Sequence, residues 1–389
     1  MWEIISFALL AAAGIGCVLL LISVVALVIH VRKPALARPA LAPSISILKP
    51  LCGLEDDLES HLEQFAQLAY PRYELLLGVK DASDAAFPLA RKIAARHPGR
   101  VRVVLQRGEP GLNPKVNQLI TLAQAARHEI LVVSDSNVAV APDYLDEIAA
   151  HLCDADVGIV THLIAGTGGE RLGSRMDNVQ MTGAIAPGIA GAHLVARKSI
   201  VIGKSMALRK RDLAALGGFA SVRDVLAEDW VLGRALPKQL GKKVALARRP
   251  VRNVSRRQNV DSFLARWRRW SVIHRKAVGP VTYAGELLLN PVLLAAFAAC
   301  AAPSTRMWEI VSAFCALRCA TDTVARRALG DRVTLSVVVI SPLRDLFIGA
   351  AWLHGLLHST IVWRGNARRV LAGTYLAAEE SAAELPRAA

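Results

Sequence analysis

The chain has 389 residues, 53% hydrophobic and 5% aromatic, with a mean hydropathy of +0.36 and a formal charge of +15 from 47 Lys and Arg against 32 Asp and Glu. So apolar a chain can bury a core, which excludes disorder. The six cysteines are scattered, with no CxxC pair and no His/Cys cluster at zinc spacing, which excludes a disulfide scaffold and a structural zinc site. The charge leaves nucleic acid or an anionic membrane surface as partners to weigh.

Residues 4–29 contain no charged side chain. A spanning helix needs roughly 20 apolar residues, so this run is long enough. A cleaved signal peptide would have basic residues in front; here Glu3 precedes the run, and His30, Arg32, Lys33 and Arg38 follow it. Residues 1–33 are therefore predicted to be a transmembrane anchor, with everything after it cytoplasmic by the positive-inside rule. Pro34, Pro39 and Pro43 make a stiff tether.

From 44 to 276 the composition is that of a soluble domain. β-Branched runs at 44–48, 73–79, 102–105, 129–135 and 157–161 read as strands, and 55–69, 84–96, 114–127 and 142–152 carry helical periodicity. This alternation predicts an α/β fold, a mostly parallel sheet flanked by helices, with its ligand beyond the carboxyl ends of the strands. Two strands run into aspartate there: one reaches Asp81, the other Asp135, with Asn137 two places on. Either acid alone could be a turn cap. Together they read as one site, one acid bonding a nucleotide base or ribose and one holding a divalent cation against a diphosphate. Mg²⁺ and Mn²⁺ take carboxylate, water and phosphate oxygens. A second protein ligand is left open between Asn137, a water and none.

Between those strands, Asn113 can cap a helix that Pro114 opens, turning free N–H groups and Lys115 toward the same edge. Asp229 opens a later helix, where an acid ordinarily just complements the dipole. Arg266 and Arg269 are three apart and share a helical face; they suit phosphate oxygens, or a basic helix lying on the membrane surface together with Trp270. The apolar pattern then returns. Residues 283–302 form one run, 307–329 holds Glu309, Arg318 and Asp322, and 333–362 is interrupted by Ser341-Pro342 and Arg344/Asp345. Residues 277–370 are thus predicted to be a hydrophobic, helical membrane region with tilted, re-entrant or interfacial segments, and 371–389 a polar tail.

Read in order, Asp81, Asp135-Ser136-Asn137, Asp229 and Arg266-x-x-Arg269-Trp270 resemble the D, D, D, (Q/R)xxRW pattern of inverting glycosyltransferases with a GT-A fold. ILKPLCGLEDDLESHLEQF, YPRYELLLGVKD, GLNPKVNQL, AEDW, PLRDL and VWRG, with the layout of anchor, soluble domain and hydrophobic region, are similar to the ceramide glucosyltransferase family. The resemblance implies nucleotide contact for Asp81 and metal–diphosphate binding for Asp135. It makes Asp229 the general base and lets Arg266, Arg269 and Trp270 hold the departing diphosphate and shape the acceptor site. It implies a bacterial-type, inner-membrane enzyme that moves glucose from UDP-glucose to the primary hydroxyl of ceramide, with Mg²⁺ or Mn²⁺, to give a β-glycosyl lipid. Its partners would be a UDP-sugar, a lipid acceptor and the bilayer, with no nucleic acid. Within the enzyme class, a hopanoid or diacylglycerol acceptor is the alternative. The rival of another class is a basic, membrane-tethered protein that binds nucleic acid or acidic lipid, which the lack of an aromatic stacking platform disfavours.

Overall fold

The computed structural model describes residues 1–333, 335–363 and 366–377. Most of the expected polar tail (378–389), with Arg364 and Gly365 of the VWRG segment, lies outside the described residues. Helix α1 (Trp2–Val31) covers the apolar run and is long and apolar enough to cross a membrane. Its far end is tied to the next domain by His30, whose Nε2 lies 3.0 Å from the Ala247 carbonyl. The proline tether then leads to the first strand, and Tyr70 holds it by donating to the Pro43 carbonyl at 2.7 Å.

The elements that follow are β1 (Ile45–Pro50), α2 (Leu58–Ala66), β2 (Tyr73–Val79), α3 (Phe87–Arg96), β3 (Val101–Leu105), α4 (Pro114–Ala125), β4 (Ile130–Ser134), β5 (Val138–Ala139) and α5 (Tyr144–Leu152). Next come β6 (Val157–Gly168), α6 (Leu172–Gln180), a π-helical turn (Met181–Ile185), α7 (Ala186–Leu194), β7 (Ser205–Arg209), α8 (Lys210–Ala215), α9 (Glu228–Leu240), β8 (Lys243–Ser255) and α10 (Val260–Val278). All eight strands join one sheet in the order β3-β2-β1-β4-β7-β6-β8-β5. The first four are parallel, β7 runs antiparallel between β4 and β6, β8 is parallel to β6, and β5 closes the edge antiparallel to β8.

Alternate residues of each strand feed opposite cores. Ile45, Ile47, Leu75, Leu77 and Val132 pack with Leu62, Phe65 and Ile93 on one face. Leu48, Leu76, Leu131 and Val133 pack with Leu119, Leu122, Leu232 and Leu236 on the other. The predicted mostly parallel sheet with helices on both faces is therefore the fold observed. Strand β8 escapes the hydrophobic pattern because it carries Arg248-Arg249-Pro250. These three residues bulge out where the register with β6 shifts between His162 and Ile164, and Glu147 accepts the Arg248 N–H at 2.6 Å and the Arg249 N–H at 3.3 Å.

Beyond α10 lie α11 (Pro280–Gly285), a 3₁₀ turn (Glu286–Leu289), α12 (Pro291–Ala301), α13 (Thr305–Ala328), α14 (Leu335–Leu357) and a hairpin of β9 (Thr360–Trp363) with β10 (Asn366–Arg369). The apolar run 283–302 is not one straight helix: it bends by 82° at Asn290. Pro291 pushes the preceding residue out of the helical region, to φ −119° and ψ 69°, and the Asn290 side chain caps the new helix by accepting from Leu293 N–H at 3.2 Å. Helix α14 instead runs through Pro342 and ends before residue 360, where the chain turns back as the hairpin.

Candidate functional site

Strand β4 ends at Ser134 and delivers Asp135 to the carboxyl edge of the sheet. Lys115 Nζ lies 2.9 Å from Asp135 Oδ1. It arrives there because Asn113 accepts the N–H groups of Lys115 (2.9 Å) and Val116 (3.2 Å) at the start of α4, the cap that the Asn-Pro step predicts. Lys204 immediately precedes β7, whose register sets Ser205 opposite Ser134, so its Nζ falls 3.4 Å from Asp135 Oδ2 and donates to Asn137 Oδ1 at 3.0 Å. Beneath them Lys49, fully buried on β1, lies over the Phe65 ring and donates to the Asp135 carbonyl at 2.7 Å.

Helix α9 brings two more acids to Lys115. Glu228 Oε1 is 2.9 Å from Lys115 Nζ. Asp229 Oδ1 accepts the Trp230 N–H at 2.8 Å, and Oδ2 accepts the N–H of Gly203. Glycine at 203 leaves this approach open: a Cβ there would stand 2.9 Å from Asp229 Oδ2 and 3.2 Å from Lys115 Nζ, so both side-chain ends would have to shift.

The charges set one another. Burial works against the Asp135 carboxylate, yet Lys115 and Lys204 outweigh it and hold it well below the usual range. Burial also opposes the Lys115 ammonium, but Asp135, Glu228 and Asp229 keep it above an ordinary lysine. Burial pulls Lys204 down, and pulls Lys49 down to about 7. Asp229 goes the other way: burial and then the Glu228 charge push it up to about 6, only partly offset by Lys115 and the two N–H donors. A carboxylate poised there can accept a proton near neutral pH.

The other predicted residues lie around this centre. Asp81 is exposed beyond β2, two strands from Asp135 and thus roughly 10 Å away by strand spacing. Its Oδ1 accepts the backbone N–H of Ser83 at 2.8 Å and the Ser83 hydroxyl, which lowers its pKa; it closes its own turn while facing solvent. On α10, Arg266 donates to Asp177 Oδ2 at 3.0 Å and Trp267 Nε1 to Asp177 Oδ1 at 3.0 Å. Arg266 still contributes to the field at Lys204. Arg269 is partly buried one turn further on, and Trp270 is 38% exposed with its ring 6.2 Å from that of Trp267.

Sequence reasoning missed Lys49, Lys204, Glu228 and Asp177. Lys204 and Lys49 look like surface lysines until β7 and β1 pair with β4. Asp177, fully buried on α6, sits in a stretch with no recognisable motif. Among the described residues, no three His, Cys, Asp or Glu converge on one point. Asp135, with 27% of its side chain exposed, and Asn137 are the oxygen donors at this edge that a cation could share with a bound diphosphate.

Ceramide glucosyltransferase 1 of Caenorhabditis elegans is 29% identical over 233 residues, which cover 59% of this chain and 49% of the relative. Ceramide glucosyltransferase 3 of that organism is 27% identical over 249 residues, covering 59% and 50%. The chain thus spans about half the length of these curated relatives. Among solved structures, a mannosyltransferase from Pyrobaculum calidifontis, PcManGT, in complex with GDP-Man and Mn²⁺, superposes with a TM-score of 0.53 at 19% identity, over 92% of this chain and 99% of that one. That likeness is one of fold, and the fold is GT-A-like. The profile of glycosyl transferase family 21 matches residues 8–376. The match runs along nearly the whole length, and the chain belongs to glycosyl transferase family 21.

Proposed function

We propose that the chain is a membrane-bound, inverting glycosyltransferase that moves glucose from UDP-glucose to the primary hydroxyl of ceramide. The reading is carried by one observation: Lys115 pairs with Asp135, at the end of β4, and with Glu228, beside which Asp229 is the carboxylate pushed up to about 6. Lys115 and Lys204 supply the positive charge that a nucleotide diphosphate needs, with Arg266 close behind. Asp81 reaches the nucleoside across the strand spacing. Asp135, with the Asn137 amide oxygen, fits a divalent cation completed by phosphate oxygens and water. Bound there, Mg²⁺ or Mn²⁺ would neutralise charge that develops on the leaving diphosphate.

Asp229 takes the proton of the acceptor hydroxyl as its oxygen attacks the anomeric carbon. The new C–O bond forms on the face opposite the breaking bond to phosphate, and UDP departs with that electron pair. Single displacement converts an α-linked donor into a β-glycoside, and no covalent nucleophile is needed. Arg269 and Trp270 lie midway along α10, the helix that leads into the hydrophobic region, and would shape the path of a lipid acceptor. Arg32, Lys33 and Arg38 after α1 favour a cytoplasmic site, the compartment of sugar nucleotides.

The test is to incubate the purified full chain with several UDP-sugars and with ceramide, hopanoid and diacylglycerol acceptors, with and without chelator, and to identify products by mass. A β-glucosylceramide that disappears on chelation is the expected product. Transfer to another lipid would move the acceptor assignment, and transfer to none would overturn the reading.

A further inference from the structure

Helix α9, which carries Glu228 and Asp229, begins without a cap of its own. Its N-cap residue is Ala227, at φ −105° and ψ 70°, which has no side-chain acceptor. The lead-in 223–227 is held from two sides instead. On one side it clamps the start of α4: Asn113 N–H donates to the Arg223 carbonyl at 2.9 Å, Leu112 N–H to Asp224 Oδ1 at 2.9 Å, and Asn113 Nδ2 to the Val225 carbonyl at 2.6 Å. On the other side lies residues 370–377, the strap that follows the β9–β10 hairpin. Leu226 N–H donates to the Thr374 carbonyl at 2.9 Å, Ala227 N–H to Thr374 Oγ1 at 3.3 Å, and Leu376 N–H to the Asp224 carbonyl at 2.8 Å. Val225 and Tyr375 form an antiparallel bridge.

The strap is itself constrained. Thr374 is fully buried and has φ +65°, a left-handed conformation that a β-branched residue adopts only where its surroundings dictate it. Its own N–H bonds the Leu371 carbonyl at 3.1 Å, and Leu371 N–H bonds the Tyr375 carbonyl at 2.8 Å. Val370 and Ile361 pack on Val272 of α10, with Leu226 and Trp363 against them. The strap therefore touches both α10 and the lead-in to α9.

We propose that Thr374 is a positioning residue for the base Asp229: its hydroxyl and carbonyl fix Leu226 and Ala227, and so set the angle at which α9 presents its first turn to Lys115 and the acceptor. This rests on the glycosyltransferase reading above. Because Thr374 is reached through the hairpin, the device also connects the hydrophobic region to the base.

The variants are Thr374→Val, which keeps shape and branching but loses the acceptor, and Thr374→Ser, which keeps it. Three quantities are read on the full-length protein: kcat and donor KM for sugar transfer, UDP affinity, and amide hydrogen exchange across residues 224–230. Thr374→Val should lower kcat on the order of 10–100-fold, as small misplacements of a reacting group do. Donor KM and UDP affinity should hold, and amides 226–230 should exchange faster. Thr374→Ser should restore both rate and protection. With an active wild type, an unchanged rate or unchanged exchange in Thr374→Val would overturn the inference alone. So would an equal loss of kcat and UDP affinity that Thr374→Ser shares, the mark of a general packing defect. A wild type that transfers no sugar would instead overturn the base assignment and this inference with it.

Discussion

At the carboxyl edge of the sheet, one lysine is shared among Asp135, Glu228 and Asp229, whereas between α13 and α14 two arginines and two aspartates close a ring. There Arg344 lies 2.9 Å from Asp322 and 2.8 Å from Asp345, and Arg318 lies 3.3 Å and 3.1 Å from the same pair. Every carboxylate in the ring has two guanidinium neighbours, all four side chains are buried, and Arg344 also donates to Gln180 Oε1 at 2.9 Å. Gly183, in the π-helical turn after Gln180, leaves room for Asp322: a Cβ there would fall 2.1 Å from Asp322 Oδ1. A balanced, closed ring of rigid forks suits a structural joint. The sheet-edge cluster stays partly open at Asp135, and within it burial and then the Glu228 charge outweigh what Lys115 gives Asp229, so that acid is left near neutrality in proton affinity. Buried charge closes on itself in one place and, in the function proposed above, serves reactivity in the other; the difference lies in balance and access.

The contrast can be broken most strongly at the base. Asp229→Asn keeps the shape and removes the proton acceptor, so kcat should fall about 10²–10⁴-fold, while UDP-sugar binding survives on Asp81, Lys115 and Asp135. Near-normal transfer by this variant would remove Asp229 from the chemistry. In the ring, Arg344→Met should cost about 3–5 kcal/mol of stability, because two buried aspartates lose a partner. A denaturation midpoint would read this, and kcat per folded molecule should change little. Adding Asp322→Leu should recover part of the loss, and a double variant no better than the single one would argue against a closed ring.

The smallest effect sharpens the electrostatics. With Asp229 at about 6, the acid limb of the kcat profile should lie near pH 6, activity falling as the base is protonated. Glu228→Gln removes a neighbouring negative charge and leaves Lys115 more available to Asp229. Both changes stabilise the ionised carboxylate, so the limb should move to lower pH, with only a modest change in rate above it. A limb that stays in place or moves upward would mean that Glu228 does not act on Asp229.

Sequence by itself determined what depends on local pattern. The uninterrupted apolar run made α1, alternation of β-branched runs with amphipathic stretches made the parallel half of the sheet, and Asn113-Pro114 made the start of α4. The aspartates that follow β2 and β4 marked the carboxyl edge of the sheet. Tertiary structure alone decided what depends on contacts between distant segments. Antiparallel β7 places Lys204 against Asp135, 69 residues away. Asp177 takes up Arg266 from across 89 residues, although Arg266 alone reads as a free phosphate fork. Thr374 accepts the N–H of Ala227, the residue just before the helix that begins at Glu228, across 147 residues. A periodic pattern reports whether a residue is buried, because burial follows its position on a helix or strand. It does not report which charge a buried group will meet, because that partner is supplied by the packing of another element.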